Sequence, residues 1–333
     1  MRVLFIPFYS EQWASSRHRV YFYIERLRKK GILCNVLKPH RTNFFSRLLY
    51  AVRLMFYLLK TDVVFIQKRV FPEYFFRLIK LFNNNIIFDF DDALFVFPDV
   101  EPTLIKILKG CKHIVAGNEY LKNYALNYNK NVTVVPTPID CQRHRPITDR
   151  QKAQDSVIIG WIGMSNNLLY LEKLKEVFDR INERKNGAVK LEVICDKPFL
   201  STRLETINQK WELDSELEVL RTIDIGIMPL TDDAWARGKC AYKALLFMSL
   251  GIPVVASPVG MNTEVIQDGI NGFLAQTDDE WLKKLFLLSD DEKLRCSMGM
   301  AGRKTIEESY SYEAVLPKLI WVFDQTLKAQ DIL

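Results

Sequence analysis

Apolar residues along this chain gather in short unbroken runs, and the stretches between them carry apolar positions at helical spacing. In the first half the runs are RVLFIP, LCNVLK, DVVFIQ, NIIFDF, HIVAG and VTVVP. A strand that is apolar throughout belongs in a parallel sheet covered on both faces. The first two runs flank a helical stretch from about Ser16 to Lys30, giving a strand–helix–strand unit. A second series opens at VIIGWIG and continues through LEVIC, IDIGIMPL, PVVAS and GFLA. This alternation predicts an α/β fold of doubly wound parallel sheets. Between the series lies PTPIDCQRHRPITDRQKAQD, polar and holding three prolines, which reads as an interdomain linker over about 136–155. The expected layout is two Rossmann-like domains, 1–150 and 156–310, facing across a cleft, with a helical tail over 311–333. Thr277 with Glu280 and Ser289 with Glu292 have capping-box spacing. Pro317 should bend the last helix, from about Tyr312 to Lys328.

The chemistry concentrates between Ile225 and Glu264. Loops leaving the carboxyl ends of parallel strands are where open α/β sheets bind ligands. The loop after IDIGIMPL carries Arg237 and Lys239, with Lys243 one turn on, and the loop after PVVAS carries Gly260. Cations, a helix start and a glycine turn in such a place suit an anionic phosphate. As a bland alternative, Arg237 and Lys239 form a solvated loop and Lys243 is a surface residue.

Composition narrows the partners. The chain has 333 residues, about two domains' worth, with 48% hydrophobic and 26% charged residues, the make-up of a globular protein with large cores. Six cysteines are scattered without C-x-x-C spacing, which argues against zinc, Fe–S or dithiol chemistry and for a reduced cytoplasmic compartment. The start, MRVLFIPFYS, is too short an apolar run for a secretory signal, and no run of transmembrane length occurs. Residues 1–150 hold 24 Lys/Arg against 12 Asp/Glu, whereas 151–333 hold 22 against 28. A basic first half favours an anionic partner, or serves solubility alone. Residues 43–60, NFFSRLLYAVRLMFYLLK, and 71–82, FPEYFFRLIKLF, combine large apolar residues with cations such as Arg47, Arg53 and Lys60. Such helices suit a membrane interface, on the inner face of the cytoplasmic membrane in this case, although covering a sheet is the ordinary use of an amphipathic helix.

Residues 157–310 resemble the carboxyl-terminal domain of the retaining nucleotide-sugar glycosyltransferases of family four, which have the GT-B fold. The likeness is carried by GWIG (160–163), DIGIMPL (224–230), GKCAYKALLFMSLGIPVVASPVG (238–260), Glu264 and DGINGFL (268–274). The first half is similar to a bacterial subset of that family through SSRHRV (15–20), FDFDDALF (88–95), AGNEYL (116–121) and PTPID (136–140). The resemblance implies a nucleotide-sugar donor held by the second domain and an acceptor entering from the first. It also implies a last helix that packs back on the first domain. In the family's front-face mechanism the leaving phosphate accepts the acceptor's proton, so neither a protein nucleophile nor a metal or other cofactor is called for. The family usually shows two glutamates eight positions apart, where this chain has Gly238 and Leu246, and its basic pair after GWIG is missing. The phosphate-neutralising role therefore moves to Arg237, Lys239 and Lys243.

Gly160, Gly163 and Ser165 sit where strand turns to helix, and backbone N–H groups there can approach a pyrophosphate. Glu264 resembles a family position near the donor, or else stabilises the first turn of a helix starting near Asn262. Asp89 and Asp91 spell D-x-D, the metal motif of differently folded glycosyltransferases. At the end of an apolar strand, Asp91 or Asp92 is better read as contacting acceptor hydroxyls or orienting a cation, with Asp91 the catalytic candidate beside Arg237, Lys239 and Lys243, or else as capping the next helix. Ser15, Ser16, Arg17 and Arg19, with His18, could hold a phosphate, and Asn118 is a further acceptor-side candidate. The leading expectation is a retaining glycosyltransferase of bacterial surface polysaccharide synthesis with a glycan or lipid-linked acceptor. A catalytically degenerate partner or scaffold and a nucleotide-sugar 2-epimerase are the alternatives. The basic charge comes with no nucleic-acid-binding motif.

Overall fold

In the computed structural model, which describes residues 1–38, 44–146, 156–185, 187–213 and 215–328, the chain forms two compact units. Residues 147–155 of the expected linker and the Arg47 side chain lie outside the described residues. The first unit holds Met1–Pro138, the short segment Arg237–Cys240 and the tail from Tyr312; the second holds Ile139–Ala236 and Ala241–Ser311.

In the first unit the six apolar runs become β1 (Arg2–Ile6), β2 (Leu33–Val36), β3 (Val63–Gln67), β4 (Ile86–Phe90), β5 (His113–Ala116) and β6 (Val132–Val134). All pair in parallel, in the order β2-β1-β3-β4-β5-β6. Because β2 lies to one side of β1 and β3 to the other, the winding reverses at β1/β3, the place where such sheets open a ligand crevice at their carboxyl ends. The polar residues Gln67 and Asp89 are register partners at those ends. The expected helix after β1 is interrupted: an α-turn, Ala14–Ser16, and a π-helical turn, Arg17–Tyr21, precede α1 (Phe22–Lys29). Four more helices follow, α2 (Phe44–Leu58), α3 (Glu73–Phe82), α4 (Glu101–Gly110) and α5 (Glu119–Leu126).

In the second unit β7 (Val157–Ile162), β8 (Val189–Cys195), β9 (Thr206–Lys210), β10 (Ile225–Met228), β11 (Val254–Ala256) and β12 (Phe273–Leu274) pair in parallel as β12-β11-β10-β7-β8-β9. Here the reversal falls at β7/β10. The edge strand β9, TINQK, is absent from the sequence-based expectation. The principal helices are α6 (Lys175–Lys185), α7 (Tyr242–Ser249), the short α8 (Asn262–Val265), α9 (Asp278–Asp290) and α10 (Glu292–Thr305). Thr277 and Glu280 make the expected capping box. Ser289 does not cap: it lies inside α9, its hydroxyl on the Phe286 carbonyl, and Asp291 caps α10 instead. Asp291 wins because its carboxylate accepts from the Leu294 N–H at 2.9 Å from an extended backbone.

The last helix, α11 (Tyr312–Lys328), keeps Pro317 on its exposed side and belongs to the first unit. Its buried stripe of Tyr312, Val315, Leu319, Val322 and Phe323 joins Val3, Phe5 and Phe65 in one core. The Phe323 ring lies 6.3 Å from Phe5 and 6.1 Å from Phe65, both edge-on. The Tyr312 hydroxyl donates to the His18 carbonyl at 2.8 Å.

Candidate functional site

At the carboxyl ends of β1, β3 and β4 the first unit builds a polar network. The Phe8 N–H and the Ser16 hydroxyl donate to Gln67 Oε1 at 3.0 and 2.8 Å, and Gln67 Nε2 donates to Ser15 Oγ at 2.9 Å. Ser15 Oγ in turn donates to Asp91 Oδ2 at 2.6 Å. Lys68 Nζ lies 3.4 Å from Asp91 Oδ1 and also pairs with Asp92. Lys68 holds a left-handed backbone, φ 58°, unusual for a residue with a side chain, and such strain gathers at functional sites. Burial works against the charges of Lys68 and Asp91, but Asp91 and Asp92 together raise the lysine, and Lys68 and Arg19 hold Asp91 below the usual carboxylate range.

The segment Arg237–Cys240 is fastened into the same unit. Asn118 Nδ2 donates to the carbonyls of Arg237 and Lys239, each at 3.1 Å, and Cys240 Sγ donates to the Asp91 carbonyl at 3.2 Å. Gly238 faces Ala93 so closely that a Cβ would lie 2.5 Å from the Ala93 Cβ and 2.6 Å from its backbone nitrogen. A glutamate therefore has no room there. Leu246, the position of the family's second glutamate, lies in the core.

Two acceptor-side expectations need correction. Arg19 is buried and spends its guanidinium on Asp89, with Nε to Oδ2 at 2.9 Å, and on Thr137 Oγ1 and the Val135 carbonyl. Burial opposes that charge, and Asp89 more than offsets it and moves the pKa up. Asn118 is fully buried; its Oδ1 caps α5 through the Leu121 N–H, while its amide holds the two carbonyls. Both side chains are anchors because their partners are internal. Ser16 and Arg17 are also buried, Ser16 Oγ between Tyr9 N–H and Gln67, Arg17 on the Gln12 carbonyl. The D-x-D carboxylates are matched to separate cations, Asp89 to Arg19 and Asp91 to Lys68.

In the second unit, Lys243 lies in the first turn of α7, after Ala241, another side-chain residue with positive φ, 50°. Its Nζ is 4.3 Å from the centroid of the Trp161 ring. A Cβ at Gly163 would come within 2.7 Å of both that ammonium and the indole edge. Glycine at 163 thus leaves space for a cation held against an aromatic face, at a helix start where the macrodipole disfavours cations. Gly160 needs correction: it is a mid-strand glycine whose missing side chain accommodates Ile223, so packing explains it and no ligand contact is needed. The Ser165 N–H and hydroxyl donate to Asp196 at 2.7 and 2.8 Å, and these bonds hold Asp196 below the usual carboxylate range. Gly260 adopts φ 53° in the turn after β11, and its carbonyl accepts from the Thr263 N–H and hydroxyl. Glu264 is exposed in α8.

Lys68, Gln67 and Trp161 are absent from the sequence-based candidates. Lys68 carries a signal, a cation just past the apolar run VVFI and its polar end Gln67; Trp161, inside the strand VIIGWI, carries none of its own.

The carboxyl-end cluster at β7/β10 coincides with a region of known kind. Residues 156–291 match the family model for glycosyl transferases group 1. This glycosyltransferase match covers less than half of the chain. Solved structures similar over nearly the whole chain include sucrose-phosphate synthase from Thermosynechococcus elongatus, with TM-score 0.78, 13% identity and coverage of 99% of this chain and 100% of that one. HepE from Anabaena in complex with UDP and glucose has TM-score 0.73 and 11% identity, covering 97% and 99%. A glycosyltransferase from Rickettsia africae has TM-score 0.72 and 15% identity, covering 99% of each chain. At these identities the likeness establishes the fold, the GT-B class of two Rossmann-like domains. Comparison of the sequence with curated proteins gives no match. The family match and the fold together support a glycosyltransferase.

Proposed function

We propose that this chain is a retaining glycosyltransferase of bacterial surface polysaccharide synthesis, using a nucleotide-sugar donor and a glycan or lipid-linked acceptor. The observation that carries the reading is Lys243, held on Trp161 above Gly163 at the winding reversal of a unit that matches the glycosyltransferase model. Departure of a nucleoside diphosphate builds negative charge, and a cation fixed beforehand at that place favours the transition state over the ground state. Arg237 and Lys239 are further candidates for the same charge, and Gly163, Gly260 and Glu264 for donor contacts. Asp91, charged and oriented by Ser15 and Lys68, is the acceptor-side candidate, with Asp92 beside it. With lysine and arginine supplying the positive charge, we expect turnover to continue in the presence of a chelator. We place the reaction in the cytoplasm, where nucleotide sugars are substrates. Because HepE has been captured with UDP-glucose, UDP-sugars are the first donors to try.

The test screens UDP- and GDP-sugars for thermal stabilisation, then for release of free diphosphate. Lys243→Ala is expected to keep its melting temperature and lose about 10²- to 10³-fold in turnover. If no sugar nucleotide stabilises the protein, or the variant turns over normally, the reading fails. A second reading, a partner without turnover, draws on Gly238 and Leu246, whose packed surroundings leave no place for the family's glutamates. It expects stabilisation by a donor with no diphosphate released.

A further inference from the structure

A helix on the surface of a globular protein normally turns its charged and polar residues to water. α6 does so, with Lys175, Glu176, Glu183 and Arg184 exposed. α2 does the reverse. Tyr50, Leu54 and Leu58 form its buried stripe, and its outer arc consists of Leu48, Leu49, Val52 and Phe56, continued just past the helix end by Leu59, 70% exposed. Arg53 and Lys60 are exposed along one edge of that arc. α3 packs beside α2 and repeats the arrangement: Phe76 and Ile79 are buried, whereas Tyr74, Leu78, Leu81 and Phe82 face out, Leu81 78% exposed, with Arg77 and Lys80 at the edge.

We propose that the outer faces of α2 and α3 dock this protein onto an anionic lipid bilayer. Lying in a bilayer interface asks for an apolar arc at acyl depth with cations beside it at headgroup level, and both helices have that form. The sign of the charge selects the lipid. From Arg26 to Thr61 the chain carries nine Lys or Arg and no Asp or Glu. The one carboxylate at the start of α3, Glu73, is matched by Arg77 and Lys106. A second copy of the chain would bring like charges toward this cationic edge, whereas phosphate headgroups neutralise them. The face is also fixed in place: Arg69 donates to Tyr50 Oη at 3.0 Å and lies over the Tyr50 and Phe71 rings, 5.0 and 4.8 Å from their centroids. The preceding residue, Lys68, pairs with Asp91 and Asp92. Two consecutive residues thus join the lipid-facing helices to the acceptor-side cluster. The inference stands on the exposed face and does not depend on the proposed reaction.

Flotation of the purified full chain with vesicles tests it, using phosphatidylcholine alone and mixed with phosphatidylglycerol at low and high salt. The protein should float with the anionic vesicles only and release severalfold as salt rises. Val52 and Phe56 are exposed, so the double variant Val52→Glu/Phe56→Glu should keep its circular dichroism and melting temperature, yet bind about tenfold less or weaker still. Absence of flotation, or unchanged flotation of the folded variant, would overturn the proposal. So would a solution dimer that this variant splits into monomers, because the face would then be an interface between copies.

Discussion

Arg19 and Lys68 show how burial divides two similar cations between structure and chemistry. Arg19 has five donors in a rigid fork and finds a carboxylate, a hydroxyl and a carbonyl around it, so its charge is consumed locally. Lys68 is a point charge shared by two carboxylates at a strand end. Arg19→Ala should strand the buried Asp89 carboxylate and cost about 3–5 kcal/mol in urea unfolding. Arg19→Ala/Asp89→Asn should regain part of the loss, whereas a phosphate-binding Arg19 would show itself in substrate KM with stability unchanged. The sequence exposes part of this. Alternation along a strand puts Asp89 and Asp91 on one face, but not which cation meets each, because Arg19 comes from 70 positions away. Gly160 and Gly163 look alike in G-x-x-G; only packing separates the one that fits Ile223 from the one that leaves room for Lys243.

Among elements, those with a strong apolar signature are the ones the pattern reveals. Every strand buried on both faces appears as an apolar run, and β9 escapes because TINQK is a half-exposed edge strand with one large apolar residue. The π-helical turn Arg17–Tyr21 is equally hidden, since one extra residue per turn leaves no mark on hydrophobic spacing. α11 is the element whose stripe is read most directly, and its contribution can be measured. Phe323→Ala empties a site against Phe5 and Phe65 and should cost about 3–5 kcal/mol, visible as a lower urea midpoint at unchanged m-value. A similar truncation at exposed Leu327 should fall within about 0.5 kcal/mol.

Each unit of the whole molecule holds a buried histidine: His113, bonded to Thr133 Oγ1, in the first and His144, its Nδ1 on the Asp140 carbonyl, in the second. Burial pushes both imidazoles down to about 4, so the folded chain favours their neutral form. An unfolded histidine titrates near pH 6.5, and between these values the unfolded chain binds more protons. Stability is therefore full above about pH 6.5 and falls as pH drops toward 4, by up to about 3 kcal/mol per histidine. Melting temperatures across that window should decline, and His113→Gln should flatten the decline. The division of charge, basic first half and acidic second, is plain in the composition, and the return of the tail to the first unit is what the family resemblance implies; the return of Arg237–Cys240 is not legible, because it depends on contacts distant in sequence.

Arg303 donates to the carbonyls of Cys141, His144 and Ser249 and pairs with Glu307, while the Ile139 N–H donates to the Tyr310 carbonyl. Anyone excising the second half for separate expression at residue 156, where the family match begins, would cut away two of those three acceptors. The guanidinium would then sit in the interior half-served, and such a fragment should be recovered as insoluble material unless its first residue is moved back to Ile139.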